Sequence, residues 1–125
     1  MAATGSPFGP VTLAGRRVRI SQGNNAFVFP GVGLGALVAE AREVTDGMFA
    51  AAAEVLAGEV SAADLAEVVL FPPMGQLRRV TARVAAAVVR EARDRGLGRA
   101  LPDAEIPGAV AAAMWEPVYP TLEPV

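Results

Sequence analysis

Two neighbouring carboxamides, Asn24 and Asn25, are the side chains best placed to do chemistry. They stand in the stretch Ser21-Gln22-Gly23-Asn24-Asn25-Ala26-Phe27-Val28-Phe29-Pro30-Gly31. Each carboxamide offers two N–H donors and one carbonyl acceptor. Side by side on a turn, the pair can hold a carboxylate or a sugar hydroxyl without carrying a charge. The Pro30-Gly31 corner bends the backbone at a fixed φ and then relaxes it, which holds such a pair rigidly against the next stretch of chain. The plainer alternative is a polar turn before a helix, since Asn and Gly are ordinary turn residues.

Composition removes most other chemistries. The 125 residues include no cysteine and no histidine, so a thiolate nucleophile, a zinc ribbon and the commonest general base are all missing. All eleven basic residues are arginine, which stays protonated and accepts protons poorly. Base work would fall to carboxylates or to Tyr119. Asp46, Asp64, Asp94 and Asp103 are scattered over expected helix ends and loops, where capping and solubility explain them. Glu40 and Glu43 share a helix face without a further ligand. Gly31, Gly33 and Ala36 fit G-x-G-x-x-A, but no second parallel strand with an acidic ribose partner comes after them, as dinucleotide binding requires. These glycines read as a helix-packing face. The formal charge of −2 and pI near 5.1 argue against nucleic acid as a partner, and Arg78, Arg79, Arg83, Arg90 and Arg93 read as a solvated face. Met1-Ala2-Ala3-Thr4 lacks the regions of a signal peptide, and no apolar run approaches the ~20 residues of a membrane helix. The expectation is a cytoplasmic chain with no membrane partner.

The elements that must position the carboxamides can be read from pattern. Val11 to Leu13 and Arg16 to Ile20 read as short strands about the turn Ala14-Gly15. Ala26 to Phe29 reads as a brief buried extended piece, then a helix from Val32 to Arg42. A second helix runs from Asp46 to Ala57, with Thr45 or Asp46 as N-cap, and Gly58 ends it. Ser61-x-x-Asp64 starts a third, which is expected to stop at Phe71-Pro72-Pro73. Leu77, Val80, Val84 and Val88 share one face of a helix from Met74 to Arg95, stopped by Gly96. Arg90 and Asp94 are placed to pair at i,i+4. A loop from Leu97 to Pro107 leads to a short helix from Gly108 to Trp115. Trp115 and Tyr119 imply that the proline-rich tail lies on another surface.

Taken together, Gly5-Ser6-Pro7-Phe8-Gly9-Pro10-Val11, Gln22-Gly23-Asn24-Asn25-Ala26-Phe27-Val28-Phe29-Pro30-Gly31 and Leu70-Phe71-Pro72-Pro73 resemble the C-terminal part of malic enzymes in order and spacing. Asp64-Leu65-Ala66-Glu67 and Trp115-Glu116-Pro117 also fit, so the resemblance covers nearly the whole chain. It implies an α/β, mostly helical fold, the C-terminal portion of a Rossmann-like NAD(P)-binding domain that is incomplete as a sheet. Residues 1–96 would belong to that domain, and 97–125 would form a tail making a domain or subunit contact. The resemblance further implies oxidative decarboxylation of malate to pyruvate and carbon dioxide with NAD or NADP and a Mg or Mn ion. Asn24 and Asn25 would lie at the malate cleft, and Gly5 and Ser6 near the cofactor. The family's catalytic tyrosine and lysine, metal carboxylates and dinucleotide fingerprint all lie upstream of the Gly-Ser-Pro-Phe motif. This chain alone is therefore expected to be inactive and to bind no cofactor tightly. Ser21 stands where the family often has glycine, and Val68-Val69 where it commonly has Gly-Arg.

Two readings compete. In one the chain acts by docking on an upstream malic-enzyme fragment, or as a homo-oligomer. In the other it is a small helical protein-interaction module without catalysis. In either case the apolar faces of the 32–42 and 74–95 helices are expected to lack the strands they would pack on, and so to be exposed.

Overall fold

Val80, Val84 and Val88 recur every four residues, and the chain folds around the helix they specify. The computed structural model describes residues 3–118. Four short strands come first: β1 (Ala3–Thr4), β2 (Val11–Leu13), β3 (Arg16–Val18) and β4 (Ser21–Gln22). Five α-helices come after them: α1 (Phe29–Ala39), α2 (Asp46–Gly58), α3 (Ala62–Ala66), α4 (Leu77–Asp94) and α5 (Ile106–Ala113). Single 3-10 turns at Asn25–Phe27 and Met74–Gln76 lead into α1 and α4. The strands form two separate pairs, β1 parallel to β4 and β2 antiparallel to β3. This is a mainly helical α/β arrangement with little sheet. Among the described residues no helix is long and apolar enough to cross a membrane.

The core lies between α4 and its neighbours. α4 buries Val80, Thr81, Val84, Ala85, Val88, Val89 and Ala92, the single stripe that its period of three or four positions predicts. Phe27, Met48, Ala52, Ile106 and Val110 belong to the same cluster, with Val32, Val38, Ala39 and Leu56. The expectation that α1 and α4 lack partners fails for one face of each, because they pack on one another. Alanine and glycine let them come close. A Cβ on Gly31 would lie 2.5 Å from Val84 Cγ1, and one on Gly35 2.6 Å from Val88 Cβ and 2.7 Å from the Ala85 carbonyl oxygen. Side-chain carbons do not approach so closely, so only glycine fits at either position. Gly33 departs from the expected packing face: it points outward, with nothing within 4 Å of where its Cβ would be.

Several boundaries differ from the sequence reading. Ala26 to Phe29 is not extended; Ala26 and Phe27 lie in the 3-10 turn, Val28 caps it, and Phe29 is the first residue of α1. Pro30 does not delay the helix, because in the first turn its missing N–H is one that no helix carbonyl would receive. α1 therefore starts three residues before the expected Val32 and ends at Ala39, where Glu40 turns left-handed with φ 52°. α3 stops at Ala66, well short of the prolines, because Val68 takes φ 64° and the Val69 N–H returns to the Asp64 carbonyl at 2.8 Å. α4 ends as expected at Gly96 (φ 65°): its N–H bonds the Arg93 carbonyl and that of Leu97 bonds Ala92, closing a Schellman motif. α5 begins two residues early, with Pro107 in its first turn. Trp115 is 75% exposed and is not covered by the described part of this domain. Tyr119 lies outside the described residues.

The arginines of α4 are not simply a solvated face. Arg79 and Arg83 both reach the Glu59 carboxylate, at 2.8 and 2.7 Å, and that side chain is only 2% exposed. Arg90 does not pair with Asp94. It bonds Asp103 at 2.8 Å, and Arg93 reaches the same carboxylate at 3.3 Å while bonding Asp94. A partner on the following loop offers better geometry than one on the next turn. It also pins the chain that leads into α5.

Two outcomes test this architecture. Gly35→Val is expected to cost about 2 kcal/mol or more through overpacking, whereas Gly33→Ala, facing open space in a helix interior, should gain up to about 1 kcal/mol. Denaturant midpoints check this, and equal effects would deny the glycine seam. The Arg90 guanidinium, and then that of Arg93, hold the Asp103 carboxyl below its ordinary value of 3.8. A depressed folded-state pKa means that this contribution is present above the unfolded carboxyl value and is lost as pH falls through the folded one. Carboxyl NMR titration should place Asp103 below 3.8 and show it rising in Arg90→Gln; an unshifted Asp103 would contradict the pairing.

Candidate functional site

The strands β1 and β4 are only two residues long, yet their direction decides the site. They run parallel, with Ala3 opposite Ser21 and Thr4 opposite Gln22. Both therefore end on the same side, β1 in Gly5-Ser6 and β4 in Gly23-Asn24-Asn25. In α/β proteins, ligands bind outside the carboxyl ends of parallel strands. All four residues singled out in the sequence are thus brought to one edge. The Gly23 N–H donates to the Thr4 carbonyl at 2.9 Å, Gln22 Nε2 donates to the Gly5 carbonyl at 3.3 Å, and Thr4 Oγ1 donates to the Ser6 carbonyl at 2.6 Å. These bonds tie the two loops together.

The two carboxamides have different jobs. Asn24 is extended (φ −133°, ψ 135°), and its Oδ1 accepts the Ala26 N–H at 2.9 Å. It caps the 3-10 turn, as an Asn at that position commonly does. Asn25 is the first residue of the turn; its main-chain carbonyl accepts the Val28 N–H at 3.0 Å. Its side chain is exposed and makes no hydrogen bond among the described residues. One carboxamide is spent on structure and the other is left exposed at the strand ends.

The turn is held from behind. The Ser21 hydroxyl accepts the Leu70 N–H at 2.7 Å, tying β4 to the segment before the paired prolines. Phe71 stacks on the fully buried Phe27, with ring centroids 6.3 Å apart and planes 15° apart. The same ring lies 3.2 Å from where a Cβ on Gly23 would be. Ser21 and Phe71 were not singled out as site residues from sequence; the Phe-Pro-Pro motif pointed to the place but not to this contact. Ser21, where the resemblance implies that glycine is frequent, serves here as an anchor. The other departure is strained, since a β-branched residue at positive φ is a steric outlier. The glycine common in the family at Val68 would take that conformation freely.

The site is electrically neutral. From Ile20 to Ala39 there is no charged residue. Arg19, just before it, is held by Glu67 at 3.1 Å and Asp64 at 3.2 Å. Those carboxylates, Glu67 first, raise its pKa further above the arginine value. Its charge is thus already matched. Among the described residues no group of three His, Cys, Asp or Glu side chains comes together, so the donor set for a divalent ion does not fit here. The glycines of α1 do not form a phosphate cradle either. Gly31 is filled by Val84, Gly33 faces outward, and Pro30 removes an N–H from the first turn. A larger groove, lined by Leu13, Arg16, Arg17 and Glu67, contains neither carboxamide.

A family model described as malic enzyme, NAD binding domain, matches residues 1–93. The NAD-dependent malic enzyme of Pseudomonas aeruginosa PAO1 is 40% identical over 95% of this chain and 21% of its own length. The mitochondrial NAD-dependent malic enzyme of Solanum tuberosum is 41% identical over 96% of this chain and 21% of its own. NAD-dependent malic enzyme 3 of Bacillus subtilis is 41% identical over the whole chain and 22% of its own. The chain thus spans about a fifth of the length of the curated relatives it matches. With that family model over residues 1–93 and relatives about 40% identical across nearly all of it, the chain belongs to the malic enzyme family, residues 1–93 matching its NAD-binding domain.

Proposed function

We propose that this chain forms the C-terminal portion of a Rossmann-like malic-enzyme NAD(P)-binding domain. There it supplies one wall of the cleft in which malate is oxidatively decarboxylated to pyruvate and carbon dioxide. The observation that carries this is the free Asn25 carboxamide beside the carboxyl ends of two parallel strands, with Asn24 fixed behind it by its own cap.

Asn25 donates an Nδ2–H to a carboxylate of malate and orients it. An amide does this without the desolvation cost of a charged group, and its donor does not titrate in the ordinary range. The Gly5-Ser6 loop borders the cofactor side of the same edge. Electron, proton and metal chemistry belong to groups outside these residues. The chain has no lysine and no histidine, and among the described residues no acidic cluster. By itself it orients a substrate and does not turn it over.

The test is malate-dependent NAD reduction with Mn, for the chain alone and mixed with the Pseudomonas enzyme deleted of its matching segment. Activity is expected only in the mixture. Asn25→Ala should lower it by roughly 10- to 100-fold, as loss of a hydrogen bond to a charged group does, with the melting curve unchanged. Asn24→Ala should instead cost about 1 kcal/mol of stability through the lost cap. A fully active Asn25→Ala mixture, or turnover by the chain alone, would refute the assignment.

A further inference from the structure

From Arg19 onward, every arginine side chain donates to a carboxylate or a carbonyl oxygen. Arg16 and Arg17 differ. Both are exposed on β3, and neither side chain has a partner among the described residues. Both also border one groove of about 820 Å³, between the β2–β3 hairpin and the residues that end α3. That volume is usual for a small-molecule site.

The hairpin and α3 give the groove its shape and charge. Ala14 and Gly15 turn with φ 49° and 76°, which sets Leu13 opposite Arg16 and Thr12 opposite Arg17. Successive side chains on a strand point to opposite faces, so the two guanidinium groups reach the groove from two sides of one strand. Ala66, Glu67 and Val68 form the facing wall. Arg19 closes one end by bridging to Glu67 at 3.1 Å and to Asp64 at 3.2 Å. Glu67, the carboxylate among the lining residues, is thus already matched, and the groove keeps the charge of Arg16 and Arg17. Pro10, Leu13, Val18, Ala66 and Val68 give it an aliphatic lining, with no aromatic ring on which a base could stack.

We infer that this groove binds a diphosphate group, held between the guanidinium forks of Arg16 and Arg17. A guanidinium bonds two anionic oxygens in parallel, so one fork satisfies a single carboxylate. Two forks arriving from two sides suit a group with more acceptors and more than one negative charge. A diphosphate carries both on adjacent phosphorus atoms. Arginine fits phosphate geometry bidentately and keeps its charge at any ordinary pH. The aliphatic lining beside the forks has room for the body of a diphosphate ester, whereas the free anion needs none of it. Neither carboxamide takes part, so the inference stands independently of the malate reading.

Isothermal titration of the full chain at low salt provides the test. The probes are inorganic pyrophosphate, succinate as a dicarboxylate, and isopentenyl diphosphate as an aliphatic ester. Pyrophosphate is expected to bind saturably at one site. Arg16→Gln and Arg17→Gln should each weaken it by roughly tenfold, through loss of a charge-assisted bond. Their melting curves should superimpose on wild type, since neither side chain has a partner to lose. Arg95→Gln removes the same charge from an exposed arginine after α4 and should change the affinity by less than about twofold. Tighter binding of isopentenyl diphosphate, reduced by Leu13→Ala to the pyrophosphate value, would identify the ligand as an ester; binding no tighter would identify the free anion. No saturable binding, succinate binding as tight as pyrophosphate, or an equal loss in Arg95→Gln would each overturn the inference.

Discussion

The close approach of α1 to α4 is the constraint that positions everything else. Two missing Cβ atoms, at Gly31 and Gly35, let Val84 and Val88 reach the α1 backbone. That contact sets the height and rotation of α1, and α1 begins only four residues after Asn25. Phe27, in between, is buried at the same seam and stacked on Phe71. A displacement of the helix pair would therefore move the carboxamide directly. The far end of α1 is also fixed: the Arg99 N–H donates to the Ala39 carbonyl at 2.8 Å and Arg99 Nε to that of Val38 at 2.7 Å. A helix with no polar side chain thus has its last carbonyls satisfied from outside.

The neutral character of the site is a second consequence of the same packing. A charged side chain beside an apolar helix and a stacked aromatic pair would carry a desolvation cost. A carboxamide avoids it and keeps its donor geometry. Arg19, the nearest cation in sequence, is held by two carboxylates. On the proposed function, substrate charge is met by one oriented amide here and by groups supplied from elsewhere in the domain.

Much of this was legible in the sequence, for identifiable reasons. The four-residue recurrence of Val80, Val84 and Val88 located the central helix, and Gly96 located its end, because burial and left-handed geometry impose those residue types. Gln-Gly-Asn-Asn marked the turn that leads from β4 towards α1. Three things were not legible. The division of labour between Asn24 and Asn25 depends on a cap formed only once the 3-10 turn exists. The partner of Arg90 depends on where the 97–105 loop returns, which no local spacing encodes. The packing of α1 on α4 is a tertiary choice, since an all-apolar helix shows no preferred face. Gly31 and Gly33 looked equivalent until the seam distinguished them.

The proposed role of the chain turns on Asn25, and not Asn24, being the carboxamide presented to malate. Side-chain amide NMR can separate the two, using the 15N-labelled chain assembled with the deleted Pseudomonas enzyme and titrated with malate. The Asn25 NH2 resonances should move saturably while those of Asn24 stay in place. Movement of Asn24 with a stationary Asn25, or no movement of either while malate binds, would contradict that role.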